Sequence, residues 1–435
     1  MTAAPPIHCD LCVIGSGMAG MSAALFAAKR GLATVLVGRT GEIIFATGLL
    51  DLMAVHPVEK GEVWDDPWAC IGRLAQDLPN HPYARIPAGK IRSAFEELSG
   101  FLESMGLPYA GHWDRNVRVL TSAGTFKPTF RVPATMWEGI EIYRRKAPCL
   151  IVDLQGLKGF SARQIAATAG AAWPGLRTAR IGLPGLLAPG ELFAERLARS
   201  LEVAAHRAQL AAAIHPHVQG AEAVGLPAIL GVSRSAEVMA DLQHRLGKAV
   251  FEIPTMPPGV PGLRLKETFE RGLKDLGVEL FLENRVFRAE ADPAGGFRLH
   301  AGRTDPEEVV AARSVVLATG RFMGGGLKAD RRAVKESLFN LPVHQPEERA
   351  DWHREDFLDR RGHAVNRAGI EIDPAFHPLG PPGRPAHRRL FAAGSILAHQ
   401  DWMRMKCGSG LAIATAYAAV EGVVNQLRAE NPVAK

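Results

Sequence analysis

Short apolar runs closed by turn residues, with amphipathic stretches between them, set the pattern of this chain. Leu11-Cys12-Val13-Ile14 is uninterrupted and apolar, as in a strand buried on both faces. An alanine-rich stretch follows from Met18 and is ended by Gly31, and a second apolar run occupies 33–37, so the unit reads strand–helix–strand. The same pattern predicts strands at 149–154, 228–232, 278–282, 314–317 and 390–393. It predicts helices at 91–105, 191–213, 266–276, one ending at Leu246, and one opening at Gly408. Residues 286–290 and 297–300 read as a hairpin around the turn at 292–296. This alternation is that of an α/β fold on a parallel, Rossmann-like sheet.

The junction of the first strand and helix carries the first chemistry. Gly15-Ser16-Gly17-Met18-Ala19-Gly20 is a G-x-G-x-x-G turn between strand and helix. Gly15 permits the tight turn, Gly17 lets a pyrophosphate approach the backbone, and Gly20 lets helix and strand pack closely. The helix start adds unpaired N–H groups and partial positive charge. The plain alternative is a structural βαβ turn. One departure stands out: the acid that usually grips the adenosine ribose is missing, and Gly38-Arg39-Thr40 occupies the end of the second strand. Arginine pairs with phosphate but accepts nothing from a hydroxyl. NADP, FAD held in a modified way, and a flavin without its adenosine half all fit.

Two further strand–glycine elements follow in order. Ser314–Leu317 ends in Ala318-Thr319-Gly320, and Leu390-Phe391-Ala392-Ala393 ends in Gly394-Ser395. After the latter, Cys407-Gly408-Ser409-Gly410-Leu411 opens a helix. Flavoproteins use such a helix start to stabilise the reduced ring. The loop after the second strand, with Thr47 and Gly48, commonly folds back toward the cofactor. Together these predict a discontinuous flavin-binding domain of 1–60, 252–335 and 385–435. An α/β cap or substrate domain at 61–251 is inserted in it, and 336–384 is a loop-rich connection. Candidate groups for an anionic substrate are Arg264 and Arg321, with Arg404 and Lys406 behind them. His399 is a candidate general base because its ordinary pKa lies near neutrality. Each has a plain structural reading beside the functional one.

Composition narrows the picture little. The 435 residues carry a formal net charge of +6 without a basic tract, which argues against nucleic acid and suits an anionic ligand or ordinary solvated surface. The five cysteines are scattered. Cys9 and Cys12 form a C-x-x-C at the first strand, where packing is the simpler role, and no spacing fits an iron–sulfur cluster or another metal centre. No apolar run reaches the ~18 residues of a membrane span, and the stretch before the first strand, without a positively charged region, does not resemble a signal peptide.

Beyond these generic elements, the chain resembles the B subunit of anaerobic glycerol-3-phosphate dehydrogenase over nearly its whole length. The resemblance rests on the early glycine turn, Thr47-Gly48-Leu49-Leu50-Asp51-Leu52, His81-Pro82-Tyr83 and Pro254-Thr255-Met256-Pro257-Pro258. It continues through Gly262-Leu263-Arg264-Leu265, Val316-Leu317-Ala318-Thr319-Gly320, Gly325-Gly326-Leu327, Leu390-Phe391-Ala392-Ala393-Gly394-Ser395 and Cys407-Gly408. An arginine near the end of the second strand also resembles this family. The resemblance implies a flavoprotein subunit of an sn-glycerol-3-phosphate:quinone oxidoreductase. Its partners would be a catalytic FAD subunit and an iron–sulfur subunit that docks the complex on the inner face of the cytoplasmic membrane. The flavin is FAD by fold and FMN by this resemblance. A self-sufficient FAD enzyme of the fumarate reductase/succinate dehydrogenase type and a flavin-free structural subunit stay open.

Overall fold

The computed structural model describes residues 5–39, 43–183, 192–293, 295–381 and 383–430. It divides into two units, one of Met1–Ile43, Asp51–Leu98 and Phe269–Lys435, the other of Ile44–Leu50 and Ser99–Thr268.

The first unit is built on a seven-stranded sheet. Strand β1 (Ile7–Ile14), helix α1 (Met18–Ala28) and strand β2 (Thr34–Gly38) form the predicted βαβ unit, with Leu11 opposite Thr34 and Ile14 opposite Val37. The parallel strands run Glu279–Leu282, β2, β1, Glu308–Leu317, Leu390–Ala392 across the sheet. In chain order this is third, second, first, fourth, fifth, the doubly wound arrangement. Glu308–Leu317 shares its outer edge. Its first half pairs antiparallel with Phe297–Gly302 of the predicted hairpin, and Val315–Leu317 pair parallel with Leu390–Ala392. The last helix, Gly408–Glu430, packs on α1, where the rings of Phe26 and Tyr417 meet edge to face at 5.1 Å. Cys9 and Cys12 are buried free thiols; burial, then Asp10, pushes Cys9 up to about 12, and burial raises Cys12 well above the usual range. They pack the strand and have no thiolate at neutral pH.

Helix Pro67–Asp77 in this unit was not predicted. Its signal is Asp66-Pro67: the Asp66 carboxylate accepts N–H bonds from Trp68 (2.8 Å) and Ala69 (3.0 Å), and proline suits the first turn.

The second unit holds a four-stranded parallel sheet in the order Ala249–Ile253, Ala223–Pro227, Cys149–Leu154, Leu176–Ile181. The strand expected at 228–232 lies at Ala223–Pro227, where it is sandwiched between two neighbours, while 228–232 is the buried loop beyond it. The helix expected at 191–213 is two, Ala194–Leu201 and Ala204–Ile214, and its first predicted residue lies outside the described residues. At the break the Glu202 carboxylate leaves helical service and accepts the N–H groups of Val232 (2.9 Å) and Ser233 (2.6 Å). The helix expected at 266–276 begins earlier, as Val260–Asp275, because Pro261 sits in its first turn, where its missing N–H costs nothing.

Residues 61–98 group with the first unit, and 44–50 and 252–268 with the second, unlike the expected boundaries. Tyr83 donates its hydroxyl to the Leu52 carbonyl (2.8 Å), and Gly410 N–H donates to the Asp51 carbonyl (2.6 Å), tying that stretch to the first unit.

The early helix start carries Arg264 into the core of the second unit, and this corrects its assignment to an anionic substrate. Its side chain is 1% exposed and four of its five N–H donors are spent: Nη1 and Nη2 donate to Glu252 (2.6 and 2.8 Å), and Nε and Nη2 donate to the Gly231 carbonyl (2.9 and 2.7 Å). Thr135 Oγ1 and Leu230 N–H donate to the same carboxylate. Burial pushes Glu252 up, but the charge and hydrogen bonds of Arg264, with those of Thr135 and Leu230, outweigh it and hold the carboxyl below its usual range. Breaking such a pair leaves a buried uncompensated charge. Arg264→Met is expected to cost about 3–5 kcal/mol in urea unfolding, with much of it recovered in the double variant that adds Glu252→Leu.

Candidate functional site

In a doubly wound sheet the ligand crevice lies beyond the carboxyl ends of the strands, where the strand order reverses. Here that point falls between β1 and Glu308–Leu317, so Gly15 and Ala318 emerge side by side; the Ala318 N–H donates to the Ile14 carbonyl (2.8 Å). Gly15 has φ of 118°, and a Cβ there would overlap the Ala318 carbonyl oxygen. A Cβ on Gly20 would overlap the Gly15 carbonyl, so α1 rides directly over the turn. Gly17 caps α1 without a side-chain bond, leaving the first-turn amides of Met18, Ala19 and Gly20 without intrahelical acceptors. Ser16 Oγ donates to the Arg39 carbonyl (2.6 Å), which fastens the turn to the end of β2, and Arg39 itself is exposed. From the fifth parallel strand, Gly394 arrives with its Cβ position 2.6 Å from Ala19 Cβ, and its N–H donates to Thr415 Oγ1 (2.8 Å) in the last helix. The structure thus brings together residues 15–20, 38–39, 318–320 and 394–395. At Gly15, Gly20, Gly38 and Gly394 there is no room for a Cβ, and the open amides at the start of α1 suit the pyrophosphate of a dinucleotide.

Beside the cradle, Thr319 Oγ1 is buried without a hydrogen-bond partner among the described residues. Arg321 follows directly. Its guanidinium donates to the carbonyls of Val365 (2.6 Å) and Asn366, its Nε has no partner among the described residues, and it bonds no carboxylate there. Burial lowers its pKa, opposed by Asp401. A half-buried guanidinium hydrogen-bonded to carbonyls, with no carboxylate bonded to it among the described residues, suits an anion.

The remaining predicted residues have the following surroundings. Cys407 is a buried thiol raised by burial, and Leu411 is core. Ser409 Oγ accepts the Asp51 N–H (2.7 Å), and Gly410 packs under Tyr83 and Asp51, so this helix start braces the 51–52 segment. A Cβ on Gly408 would press on the Trp402 ring (2.8 Å). Arg404 faces Asp401 at 3.4 Å, and Lys406 takes a left-handed backbone at the end of the turn Trp402–Met405. Thr47 and Gly48 belong to the second unit, where a Cβ on Gly48 would press on Pro261 (2.6 Å). Thr40 lies outside the described residues. His399 has its Nε2 2.7 Å from Glu371 Oε1, with the His344 ring 4.2 Å away.

Three imidazoles that the sequence did not mark are buried, His56, His81 and His363. His81, read as a mere turn residue, is fully buried; its Nδ1 accepts the Tyr83 N–H (3.1 Å), which fixes the remaining proton on Nε2, where no partner is found among the described residues. His56 faces Asp77 (2.9 Å) through Nε2 and leaves Nδ1 without a partner there. Burial, then the charges of His56, His399 and Arg367, lowers His81 to about 3.

The family model described as "FAD binding domain" matches residues 10–411. The chain thereby belongs to the FAD-binding-domain flavoproteins, with the α/β fold that its sheet order shows. Among relatives, the probable B subunit of the anaerobic glycerol-3-phosphate dehydrogenase of Halobacterium salinarum is 33% identical, over 95% of this chain and 97% of that one. The anaerobic glycerol-3-phosphate dehydrogenase B subunits of Aliivibrio fischeri and Pectobacterium carotovorum are each 28% identical, over 96% of this chain and 96% and 99% of theirs. The chain belongs to this family of anaerobic glycerol-3-phosphate dehydrogenase B subunits. The match to an FAD binding domain gives FMN no support. Among the described residues no helix is long and apolar enough to cross a membrane.

The buried His81 makes stability depend on pH. Unfolded, it titrates near its ordinary 6.5; folded, only near 3. Between these values the unfolded chain takes up a proton that the native one refuses, so the contribution is present above about 6.5 and lost as pH falls toward 3. His81→Asn keeps an acceptor for the Tyr83 N–H, and its urea-unfolding free energy is expected to fall less steeply over this range, by about one proton.

Proposed function

We propose that this chain is the flavin-carrying B subunit of an anaerobic sn-glycerol-3-phosphate:quinone oxidoreductase. In this reading it binds FAD and takes part in the oxidation of glycerol 3-phosphate to dihydroxyacetone phosphate. It hands electrons to an iron–sulfur partner that docks the complex to the membrane, beside a second FAD subunit that carries the substrate chemistry. The observation that carries this reading is the coincidence of a full-length family match with a glycine cradle at the sheet's reversal point.

Gly15, Gly17 and the first amides of α1 would hold the pyrophosphate; Ala318, Thr319 and Gly394 would line the crevice. A flavin bound there supplies reversible acceptance of a hydride or of single electrons. Arg321 would place positive charge where negative charge gathers. The absent acid after β2 leaves the adenosine ribose to be held by other groups, with Arg39 free to meet phosphate.

The purified chain is expected to show a flavin absorption spectrum and to release FAD on acid treatment. Dye-linked oxidation of glycerol 3-phosphate is expected with the partner subunits and to be feeble without them. Released FMN would overturn the cofactor assignment, and a folded chain that takes up no flavin would overturn the redox reading. Full turnover by the isolated chain would overturn the electron-passing role.

A further inference from the structure

Outside the cradle, one group of side chains in the first unit has no role in the function proposed above. His344, Glu371 and His399 each present one ligand atom, and these atoms all lie within 4.8 Å of one another. We propose that these three residues bind a divalent late-transition-metal ion, with Zn²⁺ as the reference occupant.

The backbone holds the three residues in one small lattice. His344 and Gly369 exchange both N–H···O bonds (2.8 and 3.0 Å). Ile370 N–H donates to the Ile396 carbonyl (2.9 Å), and Ala398 N–H returns to the Ile370 carbonyl (2.9 Å). His399 N–H donates to the Arg367 carbonyl (2.9 Å). Glu371 and His399 thus hang from paired segments, and His344 from the segment paired beside them. His399 also adopts φ of 65°, a left-handed backbone that a non-glycine residue keeps only where its surroundings hold it. That conformation sets its ring 4.2 Å from the ring of His344 and its Nε2 2.7 Å from Glu371 Oε1.

A plain surface His–Glu pair accounts for the 2.7 Å contact. It gives no reason for a second imidazole, tilted beside the first at 4.2 Å, with a ring nitrogen within 4.8 Å of the same carboxylate. Ligands at about 2.0–2.2 Å from a tetrahedral zinc stand roughly 3.4 Å apart, so side-chain rotations alone close the site. Two imidazoles and one carboxylate with no thiolate suit zinc, cobalt, nickel or copper, whereas magnesium and calcium call for more oxygen ligands. Three protein ligands leave a position for water. His344 and Glu371 are exposed, so an ion enters without opening the fold. The Arg367 guanidinium, on the same lattice, pairs with Glu59 (2.9 Å), which leaves the Glu371 carboxylate to the ion. On binding, the metal takes the place of the proton at His399 Nε2 against Glu371, and the neutral ring keeps its one proton on Nδ1.

The full-length chain, stripped with a chelator, is titrated with Co²⁺ and followed by its visible ligand-field bands, with Zn²⁺ as competitor. One saturable equivalent is expected, displaced by Zn²⁺. His344→Asn and Glu371→Gln are each expected to weaken it by about tenfold or more. His344 is exposed, so its variant is expected to fold, and a Zn²⁺-induced rise in unfolding temperature is expected in the parent and absent in that variant. No saturable binding, or binding and stabilisation that survive His344→Asn, would overturn the proposal.

Discussion

The close passage of Gly15 against Ala318 is the constraint on which the first unit depends. It exists because β1 and Glu308–Leu317 are parallel neighbours whose chains leave the sheet at the same end, with Ile14 opposite Leu317. The turn after β1 must then cross the path of the other chain, and only a residue without Cβ and with a positive φ does so. Everything near the cradle follows from this crossing. Helix α1 starts where the turn delivers it, Gly20 lets it settle on the Gly15 carbonyl, and the fifth parallel strand delivers Gly394 beside Ala19. The open amides of α1 and the Arg321 guanidinium then lie in the same unit, outside the sheet's carboxyl end.

The second unit is held by a different kind of interaction. Its buried Arg264–Glu252 pair satisfies the two carbonyl-facing and two carboxylate-facing donors of one guanidinium and takes in Thr135 and Leu230 as well. Such a cluster is worth less as net stability than as a fixed arrangement, because desolvation offsets most of the attraction. It joins the Pro261 helix start, the strand Ala249–Ile253 and the loop after Ala223–Pro227 in one geometry. The guanidinium of Arg264 is locked in this cluster, whereas that of Arg321 in the first unit is met by the Val365 and Asn366 carbonyls.

Much of this was legible in the sequence, for physical reasons that differ by element. The βαβ unit, the strand before Ala318 and the strand before Gly394 were readable because parallel strands are buried on both faces and end in glycine turns. Arg264 was misread because the proline before it looked like a loop signal, while a first-turn proline is compatible with a helix. His81 and His56 were missed because burial is a tertiary fact: nothing in Asn80-His81-Pro82-Tyr83 says that the ring faces inward. The His344, Glu371 and His399 group was equally illegible, since its members are far apart in sequence and meet only through backbone pairing.

If the crossing of Gly15 and Ala318 makes the cofactor site, a methyl group placed at the crossing must weaken FAD binding. FAD affinity of the parent chain and of Gly15→Ala, measured by quenching of flavin fluorescence with the fold checked by circular dichroism, tests this most directly. An added methyl against the Ala318 carbonyl costs about 1–3 kcal/mol of overpacking, so the expected result is an affinity loss of about ten- to a hundredfold with secondary structure intact. Unchanged FAD affinity in a folded Gly15→Ala chain would contradict it.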